Sequence, residues 1–153
     1  MDEKNLLIID DEEMLLANLK ILLKKYASKV FLANNAKEGL RILNSENIHC
    51  VICDISMPGM TGVELIKQIR TEGNDVPFIF YTAFGNHELM REAAKYGAFD
   101  FLTKPIFEDL QAVVARGLQV GFQRSKGQEQ KNDESEYQSI LDEFLKGNGE
   151  KSE

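Results

Sequence analysis

The chain has 153 residues, a formal net charge of −7, 43% hydrophobic and 28% charged residues, and two cysteines. That length fits one ordinary domain with a little left over, and a domain of about 120 residues buries a core without metals or disulfides. The acidic balance disfavours direct nucleic-acid binding, because counterion release needs clustered Lys and Arg. It equally disfavours docking on an anionic membrane. No apolar run approaches the roughly 18 residues that a spanning helix needs. The start, Met1-Asp2-Glu3-Lys4-Asn5, is charged and lacks the apolar core of a signal peptide. The expected location is cytoplasmic, where cysteines stay reduced.

Two kinds of segment alternate along the chain. Leu6-Leu7-Ile8-Ile9 is a continuous apolar run ending in Asp10-Asp11, the pattern of a strand buried on both faces. Met14, Leu15, Ala17, Asn18, Leu19, Leu22 and Leu23 follow helical spacing. Val30 to Ala33 reads as a second strand and Ala36 to Leu43 as a second helix. His49 to Cys53 is a third strand ending at Asp54, and Ser56 to Gly62 is a Pro- and Gly-containing loop. Val63 to Arg70 is helical, Pro77 to Tyr81 a fourth strand, and His87 to Tyr96 a fourth helix. Phe99 to Leu102 is a fifth strand, and Glu108 to about Gln119 a fifth helix. Five βα repeats predict an α/β fold, a doubly wound parallel sheet with helices on both faces.

In such open sheets ligands bind beyond the carboxyl ends of the strands. The unusual polar residues fall at strand ends: Asp10, Asp11, Asp54, Thr82 and Lys104. Were the strand order 2-1-3-4-5, the first and third strands would be neighbours and three carboxylates would converge. Three such carboxylates repel one another, and a divalent cation resolves the repulsion. Oxygen ligands select a hard ion, and Mg²⁺ suits one or two carboxylates with waters and a phosphate. Lys104 supplies an ammonium for a carboxylate or phosphoryl oxygen. Thr82 supplies a hydroxyl, and Ala83 after it leaves room for an incoming group. A carboxylate nucleophile, one cation, one Lys and one hydroxyl make a phosphoryl-transfer site. A single Asp at a strand end is commonly a turn former or helix cap, as Asp11 could be. Capping does not predict acids, a Thr and a Lys at four strand ends on one edge.

Other signals carry less. Cys50-Val51-Ile52-Cys53 has redox-motif spacing. In a strand, however, i and i+3 point to opposite faces about 10 Å apart, and a disulfide needs Cα atoms within about 7 Å. Both are expected to be buried structural thiols. His49 and His87 are isolated and expected at the surface or its boundary. No Gly-rich turn follows the first strand, which argues against a dinucleotide site or a flavodoxin-like electron carrier. A haloacid-dehalogenase-type phosphatase would place a second Asp where Ser56 stands.

Four ordered segments resemble the receiver domain of bacterial two-component response regulators, over about residues 5 to 121. They are Leu6-Leu7-Ile8-Ile9-Asp10-Asp11-Glu12, Asp54 through Leu65, Tyr81-Thr82-Ala83, and Gly97 through Pro105. The resemblance implies a flavodoxin-like (βα)5 receiver fold of strand order 2-1-3-4-5, occupying residues 1–123. It implies that Asp54 accepts a phosphoryl group from a sensor histidine kinase or a histidine phosphotransfer protein. It implies Mg²⁺ held by Asp11 directly, by Asp54, by the backbone carbonyl of Ser56, and by Asp10 chiefly through water. Thr82 and Lys104 would contact the phosphoryl oxygens, and the bond before Pro105 would be cis. Thr82 and Phe101 would form the switch that remodels the face of the fourth helix, fifth strand and fifth helix. Phe101 stands where many relatives carry Tyr, so its inward state leaves no hydroxyl unsatisfied. Ser56 and Phe84 flank the path of attacking water, and neither orients it as a base or amide would, which predicts slow to moderate autodephosphorylation. Apart from that self-phosphorylation and autodephosphorylation, no enzyme activity is expected.

Past about Phe122 the composition turns polar, reading as a solvated linker or a continued frayed helix. Tyr137, Ile140, Leu141, Phe144 and Leu145 then form one apolar stripe on a short helix, about residues 136–146. Ser135 with Gln138 suggests a capping box, and Gly147 a stop. So short a helix is marginal alone; its stripe wants its own receiver, a second copy in a homodimer, or a partner groove. Residues 124–153 hold 5 basic and 8 acidic side chains, a charge of −3, which leaves −4 on the receiver. Thirty residues are too few for a helix-turn-helix or catalytic output domain, and the charged ending reads as a native terminus. The expected protein is a stand-alone phosphorylation switch acting through an output protein partner. The alternatives are an interaction module whose tail helix carries the output, and a fragment of a larger regulator.

Overall fold

The computed structural model describes residues 3–83 and 87–151; for residues 128–137 and 146–151 it describes the backbone alone. The chain divides into two compact units, Met1–Phe122 and Gln123–Glu153. In the first, β1 (Asn5–Ile9), β3 (Cys50–Cys53) and β4 (Phe78–Thr82) are buried at every residue. β2 (Lys29–Ala33) and β5 (Asp100–Thr103) are more exposed. This is the expected contrast between central strands, apolar on both faces, and edge strands. All pairings are parallel, in the order β2-β1-β3-β4-β5. The order reverses direction between β1 and β3, and a crevice opens there at the carboxyl edge.

Alternation along the strands divides the core. Leu7, Ile9, Val51, Cys53, Phe78 and Phe80 face one side, with α2 (Ala36–Ser45), α3 (Gly62–Thr71) and α4 (His87–Lys95). Leu6, Ile8, Cys50, Ile52, Ile79 and Tyr81 face the other, with α1 (Glu13–Leu23) and α5 (Glu108–Lys151). Cys50 and Cys53 are thus on opposite faces, both buried and both free thiols. The starts of α2 and α3 are set by Asn35 and Thr61, whose side chains accept the N–H of Glu38 and Glu64. α5 lies hard against the start of β3. A Cβ on Gly117 would stand 2.8 Å from Cys50 Sγ, and one on Gly121 would stand 1.7 Å from the His49 carbonyl oxygen.

Two expectations are corrected. α5 is helical throughout Glu108–Lys151, so of the two readings of the stretch from 124 to 135, linker or continued helix, the structure shows the helix. No new helix begins near 136, and Gly147 does not stop it. The physical reason is composition: this stretch has no proline and is dominated by Lys, Gln, Glu and Arg, good helix formers. The side chains of Ser135 and Tyr137 lie outside the described residues. Second, His49 is buried, at 3% exposure, and its Nδ1 accepts the Asn5 N–H at 2.9 Å. Periodicity placed it at a strand start, but the close approach of α5 covers it. The plainer alternative for Asp11, capping α1, does not hold: Glu12 is the cap residue, without a side-chain bond.

Candidate functional site

The backbone ladder determines where the polar side chains stand. Asp10, Asp54 and Lys104 are each the first residue past a strand, and each N–H still donates to the neighbouring strand. The bonds run from Asp10 N to Ala33 O at 3.1 Å, from Asp54 N to Ile9 O at 3.1 Å, and from Lys104 N to Thr82 O at 2.8 Å. One extra rung on three ladders therefore brings the three residues to one edge. Gly62 lets the start of α3 close on this edge: a Cβ there would stand 2.4 Å from the Asp54 carbonyl oxygen. The Cys53 thiol donates to that same oxygen at 3.2 Å.

Asp10 is 2% exposed and Asp54 7% exposed. The Lys104 ammonium lies 2.8 Å from Asp10 Oδ2, 3.2 Å from Asp54 Oδ2 and 3.6 Å from Glu12 Oε1. Asp10 Oδ1 accepts the Glu12 N–H at 3.0 Å, so both its oxygens are engaged. Asp54 Oδ1 has a longer contact, 3.4 Å, with the Ser56 N–H. Asp11 is exposed, and one oxygen from each of Asp10, Asp11 and Asp54 lies within 4.8 Å of the others. Burial pushes the Asp10 carboxyl above its ordinary pKa, against the pull of Lys104 and the Glu12 N–H. Burial draws the Lys104 ammonium down, but its bonds and charge contacts with Asp10 and Asp54 prevail and hold it above its ordinary value. The donor set is all oxygen, compact and negative, with one carboxylate open to solvent. That fits a small hard dication such as Mg²⁺.

Thr82, 7% exposed, ends β4 opposite Thr103. Phe101 pairs with Phe80 across β4 and β5 and stacks on its ring at 5.5 Å between centroids. It is half-buried on the α4 side of the sheet. Ser56 is exposed beside Asp54. The Lys104–Pro105 bond is cis. Phe84 lies outside the described residues. Glu12 was not singled out from the sequence, and Cys53 was read there only as a buried structural thiol. Glu12 carried one signal, its place directly after the acid pair; the thiol bond to Asp54 is a product of local geometry alone.

The model of the response regulator receiver domain matches residues 6–115. The chain belongs to the response regulator receiver family. The receiver is 33% identical over 118 residues to the transcriptional regulatory protein ZraR of Klebsiella oxytoca, covering 76% of this chain and 27% of that one. It is 37% identical over 102 residues to the transcriptional regulatory protein FixJ of Bradyrhizobium diazoefficiens, covering 67% and 49%. A match to the uncharacterised transcriptional regulatory protein YesN of Bacillus subtilis is 30% identical over 151 residues, covering 93% and 41%. The chain thus spans about a quarter to a half of the length of these relatives. Among solved structures, the receiver domain of Francisella response regulator 1452 superposes with TM-score 0.68 at 26% identity, covering 80% of this chain and 99% of that one. A response regulator receiver domain protein from Clostridium thermocellum gives TM-score 0.68 at 31% identity, covering 80% and 96%. Membership makes the chain a receiver, a phosphorylation-dependent signalling module of two-component systems. Receiver domains bind Mg²⁺ at an acidic pocket, and among the described residues Asp10, Asp11 and Asp54 form such a cluster. Among the described residues no helix is long and apolar enough to cross a membrane.

Proposed function

We propose that Asp54 is the phosphoacceptor of this receiver, loaded by a sensor histidine kinase or a histidine phosphotransfer protein in a Mg²⁺-dependent reaction. The observation that carries this reading is one basic side chain, Lys104, bridging two buried carboxylates beside a third that is open to solvent. An Asp54 carboxylate oxygen attacks phosphorus and a P–O bond forms. The P–N bond to the donor imidazole breaks, and its electron pair stays on the ring nitrogen. Asp11, Asp54 and the Ser56 carbonyl would hold Mg²⁺, with Asp10 orienting the site. When bound, the metal neutralises the acids and the charge on the phosphoryl oxygens. Lys104 turns from the carboxylates to a phosphoryl oxygen, and the Thr82 hydroxyl donates to another. Water attacking phosphorus later expels the Asp54 carboxylate, so the receiver turns over its own modification and no other substrate.

The Thr82 shift vacates space on the sheet face that Phe101 shares, and Phe101 moves inward. That couples the phosphoryl group to the surface of α4, β5 and the receiver part of α5, where a protein partner reads it. The proposed location is the cytoplasm, with no membrane or direct nucleic-acid partner for this receiver. A second reading, that the tail helix carries the output, is favoured by its exposed Ile140, Leu141, Phe144 and Leu145.

The test is incubation of the full chain with Mg²⁺ and a small acyl phosphate, followed by intact-mass analysis. A single acid-stable, base-labile phosphoryl adduct is expected, lost on chelation of Mg²⁺ and in Asp54→Ala. No adduct, or one that survives Asp54→Ala, refutes the assignment. With exposed, uncharged Ser56 beside the acyl phosphate, slow to moderate hydrolysis is expected; a lifetime of seconds would contradict it.

A further inference from the structure

We infer that Tyr81 is a positioning residue for Lys104: its buried hydroxyl accepts an ammonium N–H once Lys104 leaves Asp10 for the phosphoryl group. This role presupposes the transfer to Asp54 proposed above. The parallel registers align Ile9, Cys53, Phe80 and Phe101 in one row across β1, β3, β4 and β5. One step further, Asp10, Asp54, Tyr81 and Leu102 form the next row, and Tyr81 and Leu102 face the α1 and α5 side together. Tyr81 is thus the neighbour of Asp54 on the side away from Asp10. Lys104 comes two residues after Leu102, on the same face by alternation, and its N–H still bonds the Thr82 carbonyl. With strands about 4.8 Å apart and a rise of about 3.3 Å per residue, the diagonal from Tyr81 to Lys104 is about 8 Å. A tyrosine and a lysine side chain together cross that span.

Tyr81 is 1% exposed, and its hydroxyl has no hydrogen-bond partner among the described residues. Its surroundings on this face are apolar: Ile8, Ile52 and Leu102 from the sheet, Leu16 and Leu110 from the helices. The Phe107 ring lies tilted against it at 6.5 Å between centroids. Buried polar groups are ordinarily paired, and an unpaired one costs free energy. Phenylalanine would fill the same space without that cost, as Phe78 and Phe80 do in the same strand. The hydroxyl therefore points to a partner met in another state. Burial pushes its pKa up, the Lys104 charge draws it down and the Asp10 charge raises it, so both charged groups act on it. Of the two, Lys104 is the one that moves. At rest its three N–H donors face Asp10, Asp54 and Glu12. Transfer makes Asp54 an acyl phosphate and draws the ammonium to a phosphoryl oxygen, which frees the donor held by Asp10. The Tyr81 oxygen is a neutral acceptor on that side. A bond from a charged donor is stronger than a neutral one, so it fixes the direction of Lys104 without adding negative charge beside the phosphoryl group.

The experiment compares the full chain with Tyr81→Phe, which keeps the ring and removes only the hydroxyl. In urea unfolding without Mg²⁺ the variant is expected to be at least as stable as wild type, because the group removed is unpaired in the resting state. With Mg²⁺ and acetyl phosphate, formation of the Asp54 adduct is expected to slow about tenfold, the loss of one hydrogen bond to a charged group in the transfer. A residue that served packing alone would not combine unchanged or higher stability with slower transfer. The effect should also run through Lys104: in Lys104→Met, adding Tyr81→Phe should leave the remaining rate within about twofold, a non-additive pair. Tyr81→Phe loading at the wild-type rate overturns the role of Tyr81. So does a lower stability of Tyr81→Phe, or the same slowing with and without Lys104. A wild type that forms no adduct overturns the phosphoacceptor reading and this role with it, whereas a wild-type adduct with unchanged Tyr81→Phe kinetics overturns this role alone.

Discussion

Replacing Lys104 with Met keeps most of the stem and removes the ammonium. In the native receiver that ammonium stands 2.8 Å from Asp10 Oδ2 and 3.2 Å from Asp54 Oδ2, with both acids nearly closed to solvent. Removing one member of a buried ion pair costs about 3–5 kcal/mol, because the other charge is left uncompensated. Here two acids share the ammonium and exposed Asp11 marks a solvent-facing side, so the loss is expected toward the low end, about 3 kcal/mol. That is a large share of a domain's total stability of about 5–15 kcal/mol. Asp10→Asn removes the charge that Lys104 neutralises, so adding it to Lys104→Met should restore part of the loss. The coupling in this cycle should reach about 1–3 kcal/mol. Urea unfolding without Mg²⁺, at constant ionic strength, measures all four proteins. Adding Mg²⁺ should stabilise Lys104→Met more than wild type, since the cation then meets the acids without a competing ammonium. If Lys104→Met stayed within about 0.5 kcal/mol of wild type, or if the two losses simply added, Lys104 would not balance the buried charge of Asp10 and Asp54.

Gly121→Ala and Gly127→Ala make the same change in the same helix with opposite expected signs. A Cβ at Gly121 would overlap the His49 carbonyl, while one at Gly127 meets nothing within 4 Å. The first should cost about 2 kcal/mol or more, because backbone must move; the second should gain up to about 1 kcal/mol from helix propensity. Equal effects in urea melts would remove the close α5–β3 packing. Cys50 and Cys53 are both fully buried, so alkylation should wait for unfolding; rapid labelling of the native chain would contradict this. Burial pushes the Cys50 thiol well up, so the folded state holds that proton more tightly than the unfolded one. Stability from this group is complete below the unfolded thiol value of about 8.5 and declines as pH rises above it. A Cys50→Ala comparison should lack that part of the alkaline decline.

Much of this protein is legible in its sequence because the informative quantities are local. Continuous apolar runs mark β1, β3 and β4, since a strand covered on both faces has no polar side. The periods of α2 to α4 follow from one buried stripe each, while α1 carries exposed apolar Met14 and Ile21 besides its buried leucines. Asp10, Asp54, Thr82 and Lys104 stand out as polar residues where apolar runs stop. The i, i+3 spacing of Cys50 and Cys53 places them on opposite faces from pleat geometry alone. None of this sets distances between segments far apart in the chain. The parallel register joins β1 to β3 and β4 to β5, and with it Lys104 to Asp10 and Asp54. The burial of His49 comes from α5 through Gly121, 72 positions on in the sequence numbering. Glu12 enters the Lys104 cluster, and Cys53 meets the Asp54 carbonyl, through turns whose geometry no periodicity reports. By itself the sequence determined which residues are apolar, which are charged and where each element stops. The tertiary structure decided which stops share an edge, because hydrogen-bond register between strands, and not spacing along the chain, sets the distance between one charge and another.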